Sequence, residues 1–444
     1  MSIPLTAAFL LVASLLACGT DSPAGLDNLV TPPSTSNGPN ILLIIADDLG
    51  LDATPGYGDG IKAHMPVLQS LQSEGLTFDN AWACPVCSPT RSSILTGRHG
   101  FRTGGLGAEP PENAIPAEEV SLHALLAAQT NYNAALIGKW HLSGTSNGNA
   151  DSPALLSIDH YAGSLSGSHQ DYNAVRLTQN GVTSTVDQYA TALFTNLALD
   201  WLKGQTSPWF LWLAYTAPHA PFHLPPDSLH HSQGLSGDSA AIDANPLPYY
   251  LAMLEAMDAE MGRVLDAVDR QNTVVIFIGD NGPPTAVAQL PYRPRPVKGT
   301  VFQGGLQVPL VVSGAGVDRM GQREAALVSS VDLFATMAEL AGADMQDSRD
   351  GQSFAGLLVN ASAPVRTHVY SEIGGDIPAF AIRDSAYKLI DFGGGDRQLF
   401  HLASDPYERR TCCQMISTQK PRRQPWQRWN GKLYHSGHHE RDCA

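Results

Sequence analysis

Three apolar runs, each followed by polar residues, most constrain how this chain can fold. Each run is long and continuous enough to be a strand buried on both faces, which is typical of a parallel sheet. Ligands of open parallel sheets bind at the carboxyl ends of the strands. The polar residues that follow the runs are therefore candidates for one shared site. The runs and their polar ends are Pro39 to Ala46 with Asp47-Asp48, Trp209 to Tyr215 with Pro218-His219, and Thr273 to Gly279 with Asp280-Asn281.

Helical patterns lie between these strands. The longest is the segment 249–270, in which apolar residues recur along one face, and similar patterns cover 65–74, 120–129 and 188–202. Strands that alternate with helices predict an α/β fold. We expect a doubly wound, mostly parallel central sheet flanked by helices, over residues 39–365.

The rhythm changes at about residue 366, where helical patterns give way to short β-like segments. Four such segments in succession predict a small C-terminal four-stranded antiparallel subdomain, which we assign to residues 366–408. The segments are His368 to Glu372, Ala379 to Arg383, Tyr387 to Phe392 and Gln398 to Leu402.

Residues 409–444 differ in composition from the rest of the chain. They hold 8 of the 27 lysines and arginines, their acidic residues are Glu440 and Asp442, and they show neither a helical nor a strand period. One hypothesis is that this tail is a non-native or frame-shifted ending that replaces a final helix. The alternative is a basic arm that binds a surface.

The chain begins with an apolar run of signal-peptide length, which is too short to span a bilayer. We interpret residues 1–17 as an export signal. Leu15-Leu16-Ala17-Cys18 resembles a bacterial lipobox, which implies that Cys18 is lipidated and anchors the protein to a membrane; an ordinary cleaved signal is the alternative. Residues 18–38, rich in Pro, Ser, Gly and Asn, then form a tether. These features predict a periplasmic or cell-surface lipoprotein of a bacterium.

The formal net charge of −15 argues against nucleic-acid binding through a broad basic surface. An anionic substrate must then be held by a local cluster of cations or by a metal ion. Asp47, Asp48, Asp280 and Asn281 offer the oxygen ligands that Ca²⁺ prefers, from two strand ends that a parallel sheet can place side by side. Taken singly, Asp47-Asp48 also fits a helix cap, and Asp280-Asn281 also fits a turn.

One cysteine lies in the most specific motif of the chain, Cys87-Ser88-Pro89-Thr90-Arg91, which is followed by a short helical pattern. The motif resembles the signature of the type I sulfatases, which have the alkaline-phosphatase superfamily fold. The resemblance implies that a formylglycine-generating enzyme oxidises Cys87 to formylglycine, whose hydrate is the nucleophile and is held by Arg91. Thr90 stands where many members have Ser or Ala, a departure that we expect to matter little.

The same resemblance favours a metal site over a helix cap or a turn. Ca²⁺ is the expected ion, and Mg²⁺ is the alternative. Cys84 and Cys87 also form a C-x-x-C pair, but without a second pair or a nearby histidine partner a zinc or redox site is disfavoured. The ligands that the resemblance implies are Asp47, Asp48, Cys87, Asp280 and Asn281.

Three further motifs match the family. Gly138-Lys139-Trp140-His141 resembles G-K-W-H, which implies that Lys139 neutralises sulfate and that His141 is the base that releases sulfate from a covalent intermediate. Pro218-His219-Ala220-Pro221 resembles P-H-x-P, and residues 298–305 resemble K-G-x-x-x-E-G-G. His219 and Lys298 would then grip sulfate oxygens and assist the leaving group; packing within a loop is the alternative for His219.

The third motif departs from the family pattern at two positions. Gln303 replaces the usual Glu, and Gln307 stands where Arg is frequent. We therefore expect the support around Lys298 to differ here. The region 151–173 and His223 are expected to border the substrate pocket, because variable loops do so in the family.

The resemblance implies hydrolysis of a sulfate monoester through a sulfated enzyme intermediate. An aryl sulfate should serve as a test substrate, and a sulfated sugar or polysaccharide fits a protein at the cell surface. Two alternatives are a phosphonate or phosphate monoester hydrolase of the same superfamily and an inactive surface binding protein with the same fold.

Overall fold

The computed structural model describes residues 38–345, 349–376 and 378–416. Several sequence predictions lie outside these residues. They are the signal peptide, the lipidated Cys18, nearly all of the tether, and the basic tail beyond residue 416. They stay predictions.

The described residues form two sheets, one of ten strands and one of five. Each strand predicted from an apolar run is present, within one or two residues of the expected ends. The strands are β1 Asn40–Ala46, β2 Gly75–Trp82, β3 Asn133–Lys139, β4 Tyr161–Ser164, β5 Val175–Gln179, β6 Val182–Val186, β7 Trp209–Ala214, β8 Thr273–Gly279, β9 Leu310–Gly314, β10 Gln322–Ser329, β11 Val369–Ile373, β12 Ala379–Arg383, β13 Tyr387–Asp391, β14 Asp396–His401 and β15 Cys413–Ile416.

Helices flank the large sheet, and the four predicted helical segments correspond to α1, α4, α6 and α8. Among the described residues, none of the helices is both long enough and apolar enough to span a bilayer. The helices are α1 Pro66–Glu74, α2 Cys87–Thr96, α3 Gly100–Thr103, α4 Leu122–Gln129, α5 Ser152–Leu155, α6 Ala190–Leu202, α7 Ser239–Ala244, α8 Leu247–Asp266, α9 Gln303–Leu306, α10 Asp332–Leu340 and α11 Ala355–Val359.

The large sheet has β1 near its centre, in the strand order β10-β2-β9-β8-β1-β7-β3-β4-β5-β6. Strand β1 pairs in parallel with both β7 and β8, and β3 extends the parallel region beyond β7. Alternate residues of β1 enter opposite core layers: Ile41 and Leu43 lie in one, Leu42 and Ile44 in the other. This burial on both faces explains the continuous apolar run, and it confirms the predicted doubly wound α/β fold.

The C-terminal sheet contains the four predicted antiparallel strands and one more. Strand β15, Cys413–Ile416, pairs with β14 and was not predicted. The sheet therefore extends past residue 408, the end that we predicted for the subdomain. Trp82 and Phe302 of the larger part pack with Phe400 and Ile390 of this sheet in a shared apolar cluster. The two parts are thus joined by a hydrophobic core.

A buried carboxylate links two of the helices that cover the sheet. Asp258 of α8 accepts hydrogen bonds from the backbone N–H groups of Val67 and Leu68, each at 2.9 Å, in the first turn of α1. These N–H groups have no partner within their own helix, because the first turn of any helix leaves its donors unpaired. Asp258 therefore serves as an N-terminal cap supplied from another helix.

We predict that Asp258→Ala lowers the free energy of unfolding by about 2 kcal/mol, since it leaves one buried and one partly buried N–H donor without an acceptor. Urea denaturation followed by circular dichroism would measure the change. Asp266→Ala removes an exposed carboxylate from the end of the same helix and should change stability by less than about 0.5 kcal/mol. Equal effects of the two substitutions would contradict the capping role.

Candidate active site

The carboxyl ends of four adjacent strands meet at one edge of the large sheet. Strands β8, β1, β7 and β3 lie side by side in this order and run parallel. The polar residues at their ends are therefore neighbours in space although they are distant in sequence. These residues are Asp280 and Asn281 after β8, Asp47 and Asp48 after β1, His219 after β7, and Lys139 and His141 at the end of β3.

Cys87 is the first residue of α2 and lies against this edge. Its Sγ is 3.3 Å from Nδ1 of His141. Backbone N–H groups at a helix N-terminus attract anions, so the position suits a negatively charged substrate. The hydroxyl of Thr90 donates to the carbonyl oxygen of Asp280 at 2.6 Å and accepts from the N–H of Cys84 at 2.8 Å. Thr90 therefore anchors α2 to the end of β8. We did not predict this role from the sequence, where we expected residue 90 to matter little.

Three buried oxygen atoms at this edge have no hydrogen-bond partner among the described residues. They are Oδ1 of Asp47, Oδ2 of Asp48 and Oδ1 of Asn281. Buried polar atoms are nearly always paired, because an unpaired one costs about 1–3 kcal/mol. Carboxylate and amide oxygens are ligands for a hard divalent cation. The residues present therefore fit the predicted metal site.

The positions of the potential ligand atoms also fit a metal site. Single ligand atoms of Asp47, Cys87 and Asp280 lie within 4.8 Å of one another, as do those of Asp47, Asp48 and His219. Asp47 belongs to both groups. The sequence did not predict that His219 lies beside Asp47 and Asp48 as a potential metal ligand, because the motif of His219 implied a contact with sulfate instead.

Cationic side chains pair with the acids from several directions. Lys139 Nζ lies 2.5 Å from Oδ2 of Asp47. Lys298 Nζ lies 2.5 Å from Oδ1 of Asp48. Arg91 Nη2 lies 2.7 Å from Oδ2 of Asp280, and its Nη1 donates to the carbonyl oxygen of Lys139. The charges balance internally, while one oxygen of Asp47 and one of Asp48 stay unpaired.

The surroundings shift the pKa values of Asp280 and Asp48 in opposite directions. Burial and the neighbouring Asp47 raise the pKa of Asp280 to about 6, although Arg91 opposes the shift. Burial would also raise the pKa of Asp48, but Lys298, His219 and Lys139 together hold it below its usual value. Asp48 is therefore a carboxylate at neutral pH.

His141 and Cys87 form the pair that the sequence predicted as base and nucleophile. Burial, followed by the positive charges of Lys139 and Arg91, lowers the pKa of His141 well below its usual value, so its imidazole is neutral and can accept a proton. Burial raises the pKa of the Cys87 thiol. An unmodified thiol would therefore be protonated and a weak nucleophile. Gly167 leaves space for the imidazole ring, since a Cβ there would lie 2.3 Å from Cε1 of His141.

His219 presents one ring nitrogen to the acids. Its Nε2 lies 3.7 Å from Oδ2 of Asp48, and its Nδ1 lies 2.6 Å from the carbonyl oxygen of Ala220. A carbonyl oxygen only accepts, so Nδ1 carries the proton of the neutral ring. Burial lowers the pKa of His219 to about 4 even though Asp48 acts in the opposite direction. Nε2 must therefore gain a proton before it can donate to a sulfate oxygen.

Tyr172 supports the segment that carries His219. Its hydroxyl lies 2.7 Å from the carbonyl oxygen of His219 and 2.9 Å from that of Thr216. The ring of His223 packs on Tyr172 with 4.1 Å between ring centroids, and its Nε2 is 3.2 Å from the hydroxyl of Tyr189. The sequence placed Tyr172 only within the broad region 151–173. Hydrogen bonds to a backbone carbonyl leave no signal in a sequence motif.

The loop that carries Lys298 is supported from the C-terminal subdomain. Nε2 of Gln303 donates to Oε1 of Gln307 at 3.3 Å, so the two departures from the family motif contact each other. Glu408 accepts from the N–H of Gln303 at 2.6 Å and pairs with Nζ of Lys388, also at 2.6 Å. A carboxylate distant in sequence therefore holds this loop. The expected difference from the family in this support stays a prediction.

The two cysteines of the C-x-x-C pair do not act together in this structure. Both Cys84 and Cys87 are buried free thiols. Within the described residues, Cys87 shares its potential ligand group with Asp47 and Asp280 rather than with Cys84.

Two family models match the chain. The model described as Sulfatase matches residues 39–343, which is more than half of the chain. The model described as N-sulphoglucosamine sulphohydrolase, C-terminal, matches residues 297–430. The second match runs beyond residue 409, where we predicted that the tail begins.

The chain is similar in sequence to arylsulfatases from animals and a bacterium. It is 31% identical to arylsulfatase A of Bos taurus in an alignment of length 388 that covers 80% of this chain and 75% of the bovine protein. It is 24% identical to an arylsulfatase of Klebsiella aerogenes, with 70% of this chain and 88% of that protein covered. The match to arylsulfatase J of Mus musculus, at 27% identity, covers 68% of this chain and 52% of the mouse protein.

Solved structures share the fold. The structure of Ps i-CgsB in complex with k-i-k-neocarrahexaose superimposes with a TM-score of 0.73 at 26% identity, covering 84% of this chain and 88% of the other. The PsFucS1 sulfatase from Pseudoalteromonas sp. superimposes with a TM-score of 0.66 at 21% identity, covering 84% and 86% of the two chains.

Proposed function

The chain belongs to the type I sulfatases of the alkaline-phosphatase superfamily, and from this membership we propose that it hydrolyses a sulfate monoester through a formylglycine formed from Cys87. One observation carries the proposal. Cys87 begins α2 beside the neutral imidazole of His141, and the charges of Lys139 and Lys298 act on its side chain. A nucleophile, a base and two cations for an anionic ester thus surround one position.

The first step would transfer the sulfuryl group to the enzyme. One hydroxyl of the formylglycine hydrate at position 87 would lose its proton to the carboxylate of Asp280, one oxygen of which lies within 4.8 Å of the Cys87 sulfur. The hydroxyl oxygen bonds to the sulfur of the ester, and the bond between that sulfur and the ester oxygen breaks. The electron pair of that bond goes to the leaving oxygen, which takes a proton. Lys298 is suited to stabilise the charge on this oxygen while a proton arrives from solvent: burial acts against the charge of Lys298, but Asp48 holds its pKa above the usual value, so its ammonium group stays protonated.

The second step would release sulfate. His141 takes the proton of the remaining hydroxyl, the carbon–oxygen bond to sulfate breaks, and the aldehyde forms again. Water then hydrates the aldehyde for the next cycle. Arg91 would hold the hydrate. Its guanidinium is buried and is fixed by Asp280 and by the carbonyl oxygen of Lys139, which supports this role.

A bound divalent cation would supply Lewis-acid stabilisation of the charge on the sulfate group. We propose Ca²⁺, with Mg²⁺ as the alternative. The side chains that would hold it are Asp47, Asp48, Asp280, Asn281 and the modified Cys87.

The substrate and the location belong to the same proposal. Ps i-CgsB, a structural relative, was solved with k-i-k-neocarrahexaose, which supports a carbohydrate substrate for this chain. The proposed export signal and the lipid anchor at Cys18 would place the enzyme where extracellular polysaccharides occur. An aryl sulfate is the practical test substrate.

Mass spectrometry of the tryptic peptide from Ala63 to Arg91, from protein made in its native host, tests the modification. We expect the mass of an aldehyde in place of the Cys87 thiol. An unmodified thiol throughout would remove the proposed nucleophile.

Rates on matched aryl sulfate and aryl phosphate test the reaction, and a preference for phosphate by orders of magnitude would overturn the proposal in favour of a phosphoesterase.

We predict that His141→Ala lowers the steady-state kcat on aryl sulfate by about 100-fold or more, since it removes the base of the second step. The first step does not need this base, so a burst of about one leaving group per active site should precede the slow phase. Stopped-flow absorbance would measure the burst. His123→Ala, at a buried histidine that packs on Phe210, is a control and should leave kcat close to the native value. Slow turnover without a burst would show that His141 acts before sulfate transfer.

A further inference from the structure

A groove lined by arginines lies on the surface next to the active-site loop. Its volume is about 580 Å³. Arg293 and Arg409 are exposed, and the exposed side chain of Leu290 adds an apolar shoulder. The lining residues are Leu290, Arg293, Pro294, Arg295, Pro296 and Arg409.

The groove is close to the proposed sulfate site along the chain. Five of its six lining residues, all except Arg409, lie in the loop that runs from Asn281 at the end of β8 to Lys298. Arg295 precedes Lys298 by three residues, and three residues span at most about 11 Å even when fully extended. The loop is packed on the segment that follows Asp48, because Tyr292 and Val297 share an apolar cluster with Leu51. The groove and Lys298 therefore keep a fixed relative position.

One arginine of the groove is held in place by its neighbours. Nε of Arg295 donates to the carbonyl oxygen of Glu408 at 2.7 Å, and its guanidinium lies 5.3 Å from the ring centroid of Phe302. The same stretch of backbone presents Arg409, whose guanidinium lies 5.9 Å from the ring centroid of Tyr407. The arginines thus reach one groove from two parts of the chain, the loop before Lys298 and the segment after β14.

The charge of the groove is opposite to that of the protein. The whole chain has a net charge of −15, which repels anions. The three arginines make the groove locally positive, so it would attract anions. Guanidinium groups bind planar or tetrahedral oxyanions through paired N–H donors and pack on apolar faces. Leu290 offers such a face to a sugar ring.

We infer that this groove binds further sulfate groups of a sulfated polysaccharide whose scissile sulfate occupies the site at Cys87. The inference rests on the proposed sulfatase function for its link to catalysis, while the binding itself needs no turnover. It specifies the substrate class as a polymer with several sulfates rather than a singly sulfated small molecule. An aryl sulfate carries a single sulfate group, which the site at Cys87 would take, and would not use the groove.

The test compares two double variants of the full chain. Arg293→Ala with Arg409→Ala removes the two exposed groove charges. Arg176→Ala with Lys203→Ala removes the same charge from other exposed positions, on β5 and after α6. Fluorescence anisotropy with labelled dextran sulfate measures binding, unsulfated dextran is the blank, and the kcat/KM for 4-nitrophenyl sulfate measures the catalytic site.

We expect the groove variant to bind dextran sulfate at least about tenfold more weakly, since it loses the charge-assisted hydrogen bonds that two guanidinium groups make to sulfate. The control variant should stay within about twofold of the native protein, because distant exposed charges are screened by salt. The kcat/KM for 4-nitrophenyl sulfate should stay the same in both variants. Unchanged binding in the groove variant, or an equal loss in the control, would overturn the inference. Failure of the native protein to cleave any aryl sulfate would instead count against the proposed function, and binding would still decide the groove.

Discussion

Replacing Cys87 by alanine is expected to reduce turnover of aryl sulfate by at least about 1,000-fold, because the substitution removes the group that forms the covalent intermediate. The fold should be preserved, since the side chain only loses its sulfur and α2 keeps its backbone contacts. Initial rates with 4-nitrophenyl sulfate would measure the loss. Thermal unfolding of the same preparation would show that the variant is folded.

Cys84→Ala provides the matched control for this prediction. Cys84 is also a buried free thiol and lies three residues earlier in the same segment. Its backbone N–H group donates to the hydroxyl of Thr90, and the substitution retains this hydrogen bond. We expect activity close to that of the native protein. Substantial turnover by Cys87→Ala would mean that a different nucleophile, such as an activated water, attacks sulfur.

Asp47→Asn is expected to weaken Ca²⁺ binding by about 100-fold or more and to lower kcat/KM on aryl sulfate by a similar factor. Asp47 has one buried unpaired oxygen and belongs to both groups of potential metal ligands. Asparagine keeps the shape of the side chain but removes its negative charge. It also leaves Lys139 without its carboxylate partner, so the variant changes the electrostatics around a cation that we propose binds sulfate.

Calorimetric titration of metal-depleted protein with Ca²⁺ and, separately, with Mg²⁺ would measure this effect and identify the preferred ion. Asp258→Asn serves as the control, because it removes a buried carboxylate that caps α1 outside the cluster. Metal affinity should be unchanged in the control. If Asp47→Asn lost activity but bound Ca²⁺ normally, Asp47 would act by positioning Lys139 rather than by holding the cation.

Much of the architecture could be predicted because the relevant information is local. The run at β1 is apolar at every position, since both faces of the strand are buried, and the same holds for β7 and β8. The amphipathic pattern of α8 likewise marks a helix with one buried face. Strands at the margins of the sheets lack this pattern. Four of five residues of β6 are exposed, so no apolar period marks it, and β15 lies within a basic segment that contains no strand period.

The residue types of the candidate site could also be predicted, because they occur in short sequence motifs at the ends of strands. The structure brings all of them to one edge of the sheet, where Lys139, Arg91 and Lys298 pair with separate acids. The roles of Thr90 and Tyr172 could not be predicted. Both act through hydrogen bonds to backbone carbonyl groups, and a carbonyl is present at every residue regardless of its side chain.

The family, the α/β class and the residue types of the proposed chemistry could be predicted from the sequence, because each depends on a short pattern of neighbouring residues. Which charges face one another depends on the three-dimensional packing. The parallel order β8-β1-β7-β3 places the acids side by side, and the C-terminal sheet brings Glu408 against the loop of Lys298 and adds Arg409 to the arginine groove. Such juxtapositions arise from the packing of segments far apart in the chain, so no local pattern encodes them.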